Sequence, residues 1–213
     1  MRAMDPDIAT QIGPLLPWLD LFGIAVFAAT GALSAAKRAQ TFVTAAFFAL
    51  ITGVGGGTVR DLLIGAPVFW VHDAKVASLC LAMALLVWVT PERWWNDKSF
   101  QWLDALGLAA YAAFGAAKSL GYGIPPVPAA VMGVVTACVG GIIRDILVGE
   151  PSILMRPELY VTAAALTASL YVGLALLGFS PFAAGFVAAV AGFGLRAAAI
   201  VLHLGLPAYR GHR

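Results

Sequence analysis

A twelve-residue pattern occurs twice in this chain, and its recurrence limits the possible folds more than any other feature. Gly56 to Pro67 reads Gly-Gly-x-x-Arg-Asp-x-Leu-x-Gly-x-Pro, and Gly140 to Pro151 reads the same, with Arg144 standing 84 residues after Arg60. The match runs back without a gap to Trp18-Leu19-Asp20 and Trp102-Leu103-Asp104, and about 20 of the 50 paired positions are identical. Self-similarity on this scale signals two copies of one structural unit. Alanine-rich chains produce chance matches, but not Trp, Arg, Asp and Pro in register.

The medium for these units follows from composition. Of 213 residues, 61% are hydrophobic and 11% charged, and the mean hydropathy is +0.90. Those values lie far from ordinary soluble domains. A helix needs roughly 20 apolar residues to cross a bilayer, and the apolar stretches leave room for about seven such crossings. The spans fall near residues 17–36, 41–67, 73–90, 101–120, 127–149, 157–178 and 181–206. The expected fold is therefore an all-α membrane protein of seven transmembrane helices. Residues 17–91 form a first three-helix repeat, 101–178 a second, and 181–206 an additional helix. The polar stretch from Glu92 to Gln101 links the repeats. Residues 1–13 lack the apolar core and cleavage site of a secretory leader, so the first span is expected to stay in the membrane.

Three crossings per repeat is an odd number, so the second repeat is expected to insert in the opposite sense to the first. Lys37, Arg38, Arg93, Lys98, Arg156, Arg210 and Arg213 then share a face with the C-terminus, whereas Arg2, Lys75 and Lys118 lie on the other. Positive residues favour the cytoplasm, which predicts a cytoplasmic C-terminus and an external N-terminus. A net charge of +2 gives no footprint for nucleic acid, and almost no chain remains for a soluble domain or partner. Cys80 and Cys138 fall in apolar segments and read as small buried hydrophobes. No cluster has metal-ligand spacing, no nucleophile has a base at useful spacing, and no cofactor motif is present. A metal site, a cofactor and an enzyme are therefore not expected.

The doubled motif carries the functional expectation. Gly53, Gly55, Gly56 and Gly57, with Gly140 and Gly141 in the second copy, each weaken a helix by about 1 kcal/mol relative to Ala, which favours a kink or unwound turn. Carbonyls freed there suit cations if they line a wet cavity; close helix packing through small residues is the other reading. Thr52 and Thr136 can add hydroxyl oxygens or bond back to their own helices. Arg60, Asp61, Arg144 and Asp145 are costly in lipid and should face protein or water. Topology offers Asp20 to Arg60 and Asp104 to Arg144 as pairs, acting as staples or as gates. Lys118 either snorkels to the interface or enters the cavity as a gating charge. Arg196, without an acid on its own helix, should brace a neighbour.

These residues resemble the prokaryotic branch of the trimeric intracellular cation (TRIC) channels, a group also catalogued as glycine transporters. The resemblance spans Trp18 to Leu206 and implies a homotrimer in a bacterial inner membrane. Each protomer would have its own potassium-permeable pore, bounded by bent second and fifth helices. On that basis Gly55, Gly56, Gly57, Gly140 and Gly141 match hinge positions, and Lys118 resembles a basic residue associated with gating. Animal members carry a basic segment containing Lys-Glu-Val where this chain has Gly-Gly-Gly-Thr, so phosphoinositide binding and a calcium-release role are not implied. The expected function is a potassium channel with potassium as the permeant ion and lipid as the surrounding partner. The alternative is a secondary transporter of a small zwitterion such as glycine. Gly56→Leu or Gly141→Leu is expected to lower conductance while assembly survives.

Overall fold

The computed structural model describes residues 16–155 and 158–207. Arg2, Arg156, Arg210 and Arg213, on which the orientation argument draws, lie outside them. Seven α-helices carry the described chain: α1 (Leu16–Lys37), α2 (Phe42–Ile64), α3 (Ala74–Val89), α4 (Asp97–Gly121), α5 (Pro126–Val148), α6 (Tyr160–Leu176) and α7 (Pro181–Leu202). Short 3-10 turns, Glu92–Trp94 and Ile153–Met155, precede α4 and α6. The α4 helix starts earlier than the polar linker suggested, because the Asn96 side chain caps it by accepting from the Ser99 amide at 2.8 Å. Asx caps of this kind satisfy an otherwise orphan N–H.

By length and apolar content, α1 from Asp20, α2, α5 and α7 are each able to cross a bilayer, while α3 and α6 are shorter apolar helices. The 16 residues of α3 extend about 24 Å at 1.5 Å per residue, against a hydrocarbon core of about 30 Å. Large apolar side chains face outward, among them Leu81, Leu85, Phe182, Phe186 and Val190, as contact with lipid tails demands.

The two halves meet through α2 against α5 and α1 against α4, while α7 packs on α4 and α6. At the α2–α5 crossing a Cβ added to Gly56 would fall on the Thr136 carbonyl oxygen, and one added to Gly140 would lie 2.5 Å from the Thr52 carbonyl oxygen. Gly56 follows Thr52 whereas Gly140 follows Thr136, so the two helices run antiparallel where they touch. The α1–α4 contact has the same reciprocity: Gly23 lies under the Tyr111 ring and Gly107 under the Phe27 ring, with those rings stacked at 5.2 Å between centroids.

The structure rules out an unwound turn: both α2 and α5 run as continuous helices through their glycines. The helical cost of the glycines is offset by backbone contact that any side chain would prevent, which is the small-residue packing of membrane helices. Of the threonines, Thr136 donates back to Met132 O at 2.6 Å, whereas Thr52 Oγ1 is buried without a hydrogen-bond partner.

Candidate functional site

Two clusters of buried charge lie at the C-terminal ends of α2 and α5, and because these helices are antiparallel the clusters occupy opposite ends of the bundle. The same motif builds both. Arg60 folds onto its own neighbour, with Nε donating to Asp61 Oδ1 at 2.9 Å, and Arg144 does likewise with Asp145 at 3.0 Å. Four residues after each Asp the chain turns at a glycine in the left-handed region, Gly65 at φ 70° and Gly149 at φ 71°. This is the usual conformation for ending a helix, and it favours glycine. The turn carries the following loop back over the carboxylate. Asp61 Oδ2 thereby accepts from Phe69 N at 3.2 Å, and Asp145 Oδ2 accepts from Ile153 N at 2.9 Å. The Asp, Gly and Pro spacing of the motif is thus a clamp that ties each loop to its Arg–Asp pair.

The clusters differ in what else touches them. Around Arg144, Nη1 donates to Asp104 Oδ1 at 2.9 Å and to Thr30 Oγ1 at 3.2 Å, while Nη2 donates to Asp145 Oδ1 at 2.8 Å. The Phe100 ring lies 4.7 Å from its Cζ. At the other end Lys118 does not snorkel. Its Nζ reaches Asp61 Oδ1 at 2.8 Å and Oδ2 at 2.9 Å, and Phe114 packs against Arg60 at 5.2 Å from its Cζ. Asp20 remains an electrostatic neighbour of Arg60, Asp61 and Lys118, but Arg60 makes its ion pair with Asp61 instead. The proposed Asp20–Arg60 staple is therefore corrected: the adjacent carboxylate lies within reach and leaves Asp20 in the second rank. Asp104 and Arg144 make direct contact.

A cavity of about 340 Å³ opens onto the Arg144 cluster, with Ser34, Lys37, Asp104, Arg144, Asp145 and Glu158 among its walls. Across it Arg38 pairs with Glu150 at 2.9 Å, and Arg196 pairs with Glu158, which braces α7 to the start of α6. The repeat gives no signal for Thr30, because its matched position holds Phe114. Nor did it find Tyr111, whose hydroxyl donates to Gly53 O at 3.1 Å; the matched residue, Phe27, has no hydroxyl. Among the described residues no group of three or more His, Cys, Asp or Glu gathers to hold a metal.

Seven helices, two related halves crossing at glycines, and a buried Arg–Asp pair at each end define an integral membrane protein of polytopic, internally repeated type. The sequence family described as "Glycine transporter" matches this chain twice, over residues 17–92 and 101–176. A UPF0126 membrane protein of Vibrio cholerae is 35% identical over 214 residues, which span 98% of this chain and 88% of that relative. The UPF0126 inner membrane protein YadS of Escherichia coli is 39% identical over 152 residues, 70% of this chain and 73% of its own. Among solved structures, the TRIC trimeric intracellular cation channel orthologue from Rhodobacter sphaeroides shares 38% identity at a TM-score of 0.84, over 90% of this chain and 100% of that one. The chain belongs to the TRIC family, in the bacterial branch that carries the glycine transporter description.

Proposed function

We propose that this protein is a cation channel that assembles as a homotrimer in a bacterial inner membrane and passes potassium through each protomer between α2 and α5. Its N-terminus is external and its C-terminus cytoplasmic, so the Arg144 cluster and its cavity face the cytoplasm. The observation that carries this reading is the charged cavity of about 340 Å³ ending at a buried Arg–Asp pair, in a chain that matches the full length of a solved TRIC channel. Buried ionisable groups facing a cavity at membrane depth mark ion pathways. The opposed halves are the inverted repeats from which many transport folds are built.

Between the two clusters α2 and α5 are in backbone contact at Gly56 and Gly140, so an ion path between these helices requires the crossing to part. Planar-bilayer recording of purified protein tests the proposal. Stepwise unitary potassium currents are expected; no current under any voltage, together with saturable substrate-specific uptake, would overturn it.

One observation favours a second reading. The cavity presents both signs of charge, Arg144 and Arg196 beside Asp145 and Glu158, as a site for a zwitterion such as glycine would. Uptake of labelled glycine by vesicles, saturable and blocked by excess unlabelled glycine, is the outcome that would install the transporter in place of the channel.

A further inference from the structure

A recess of about 560 Å³ opens where the C-terminal ends of α1 and α3 come together, at the same end of the bundle as the Arg144 cluster. Pockets that take small molecules run from about 300 to 1,000 Å³. Its inner wall is apolar, with Leu33 and Val87 buried, and its outer wall carries the exposed Lys37, Gln40 and Trp88. The cavity at the Arg144 cluster shares only Lys37 with it.

The polar groups of the recess set the sign of a ligand. Most acceptors there are spent. Thr90 Oγ1 donates to Leu86 O at 2.6 Å and accepts from Trp95 Nε1 at 2.7 Å, while at the end of α1 Ala35 O accepts from Gln40 N and Ala36 O from Ala39 N, at 3.2 and 2.9 Å. Donors remain. Gln40 gives one side-chain amide hydrogen to Arg38 O at 3.1 Å and has a second. Lys37 is the one formal charge on the walls among the described residues, and its ammonium lies 5.2 Å from the centroid of the Phe100 ring. The recess is therefore built for an anion.

Its place in the membrane sets the class. Trp88 lies in the last turn of α3 and Trp95 shortly after it, as tryptophans at headgroup level do. The 16 residues of α3 extend about 24 Å through about 30 Å of hydrocarbon, so acyl chains reach the end of this helix. A soluble anion would leave the apolar wall uncovered, whereas a phospholipid brings a phosphate and a chain together.

We propose that this recess binds an anionic phospholipid, with its phosphate held by Lys37 and Gln40 and an acyl chain lying on Leu33, Val87 and Trp88. Binding stands apart from the channel reading, and only its effect on current rests on that reading. Lys37 also lines the cavity at the Arg144 cluster, beside the Phe100 ring that packs 4.7 Å from Arg144 Cζ. A phosphate that holds the ammonium in the recess lowers the positive charge facing the cavity.

Phosphatidylcholine vesicles doped with phosphatidylglycerol brominated on its acyl chains test the site, because bromine quenches a tryptophan that it touches. The Trp88 signal is the fluorescence present in wild type and absent from Trp88→Phe. Brominated phosphatidylglycerol is expected to quench it at a mole fraction about fivefold lower than brominated phosphatidylcholine, the scale set by one basic residue at an anionic surface. Lys37→Gln changes an exposed side chain and is expected to abolish this preference. Lys98→Gln removes an exposed charge from the start of α4, at the same end of the bundle but outside the recess, and is expected to retain it. Equal quenching by the two lipids in wild type overturns the site, as does an equal loss in Lys98→Gln, which would make the preference one of overall surface charge. Relief of the quenching by inorganic phosphate overturns the lipid assignment in favour of a free anion. In planar bilayers, exchange of phosphatidylcholine for phosphatidylglycerol is expected to raise unitary potassium current more in wild type than in Lys37→Gln, and an equal rise removes the link to the cavity. A protein that prefers the anionic lipid but never conducts keeps the site and removes the channel reading; a conducting protein without the preference does the reverse.

Discussion

The Arg60 and Arg144 clusters are built from one motif, and each has an aspartate from the matched position near it, Asp20 or Asp104, yet only the Arg60 end gains a lysine, Lys118. Each borrows from the other half of the chain. Arg144 receives Thr30, and Asp61 receives Lys118. The matched positions of these borrowed residues are Phe114 and Ser34, so neither loan is returned in kind. The motif therefore fixes the Arg–Asp geometry and the loop clamp at both ends, while of the two borrowed residues only Lys118 adds charge and Thr30 adds a neutral hydroxyl. The repeated motif gives the two ends a common frame, and Lys118, whose matched position holds Ser34, makes them electrostatically unlike.

The largest effect should come from removing the hub of the Arg144 cluster. Arg144→Met leaves Asp104 and Asp145 buried and uncompensated, a defect that typically costs about 3–5 kcal/mol. Arg60→Met leaves Asp61 still paired with Lys118 and should cost about half as much. Unfolding in detergent, followed by loss of helical signal, compares the two. Equal losses would mean that the asymmetry in partners has no energetic counterpart.

Next are the glycines. Gly56→Ala forces α2 away from α5, because the new methyl falls on the Thr136 carbonyl oxygen, a rigid backbone atom. Overpacking of this sort costs about 1–3 kcal/mol. Gly141→Ala meets the Tyr160 hydroxyl and Arg144 at 3.2–3.6 Å, side-chain ends that can move, and should be milder. The structure thus splits two substitutions that glycine content alone treats alike, and it gives no support to the expectation that trimers survive Gly56→Leu. Thermal stability of purified Gly56→Ala matching wild type would show that the crossing is looser than described.

The third test exchanges the unmatched residues. Ser34→Lys brings a cation to the cavity of the Arg144 cluster and should reduce unitary potassium current by about threefold to tenfold, if one added charge near the path changes the barrier by about 1 kcal/mol. Lys118→Ser removes the added positive charge from the other end and should raise the current or leave it unchanged. A fall of similar size in both variants would show that these charges act on stability rather than on the ion.

How far the sequence foretold this arrangement depends on what kind of interaction was involved. Helix positions were legible from apolar length and from Gly and Pro punctuation, and the Asp104–Arg144 contact followed from repeat and topology together. The consequence of clustered glycine was not. Low helix propensity argues for a break, but the Thr136 and Thr52 carbonyls that occupy the space above Gly56 and Gly140 belong to the other half of the chain. Local preference cannot report a contact 80 residues away. The Asp20–Arg60 expectation failed for a related reason, since Lys118 arrives from α4 and helps hold Asp61 against Arg60. The loop clamp was readable in principle: a glycine four residues after each Asp, followed by Pro, is a helix stop that turns the chain back.

The smallest effect concerns the ends of α1 and α4, where the halves diverge at a backbone position. Gly123 follows α4 at φ 72°, and its matched residue after α1 is Ala39 at φ 52°. In both, the next residue donates back into the helix: Gln40 N reaches Ala35 O at 3.2 Å, and Ile124 N reaches Ser119 O at 3.1 Å. The turn geometry is shared, so the difference is the cost of holding alanine in the left-handed region, about 1–2 kcal/mol before the entropy that glycine loses on folding. Ala39→Gly should therefore stabilise the protein by about 0.5–1 kcal/mol, and Gly123→Ala should destabilise it by a similar amount. Neither side chain takes part in the charge clusters, so unitary current should not change in either variant. A destabilising Ala39→Gly would mean that the alanine methyl makes packing contacts at this turn worth more than the strain it imposes.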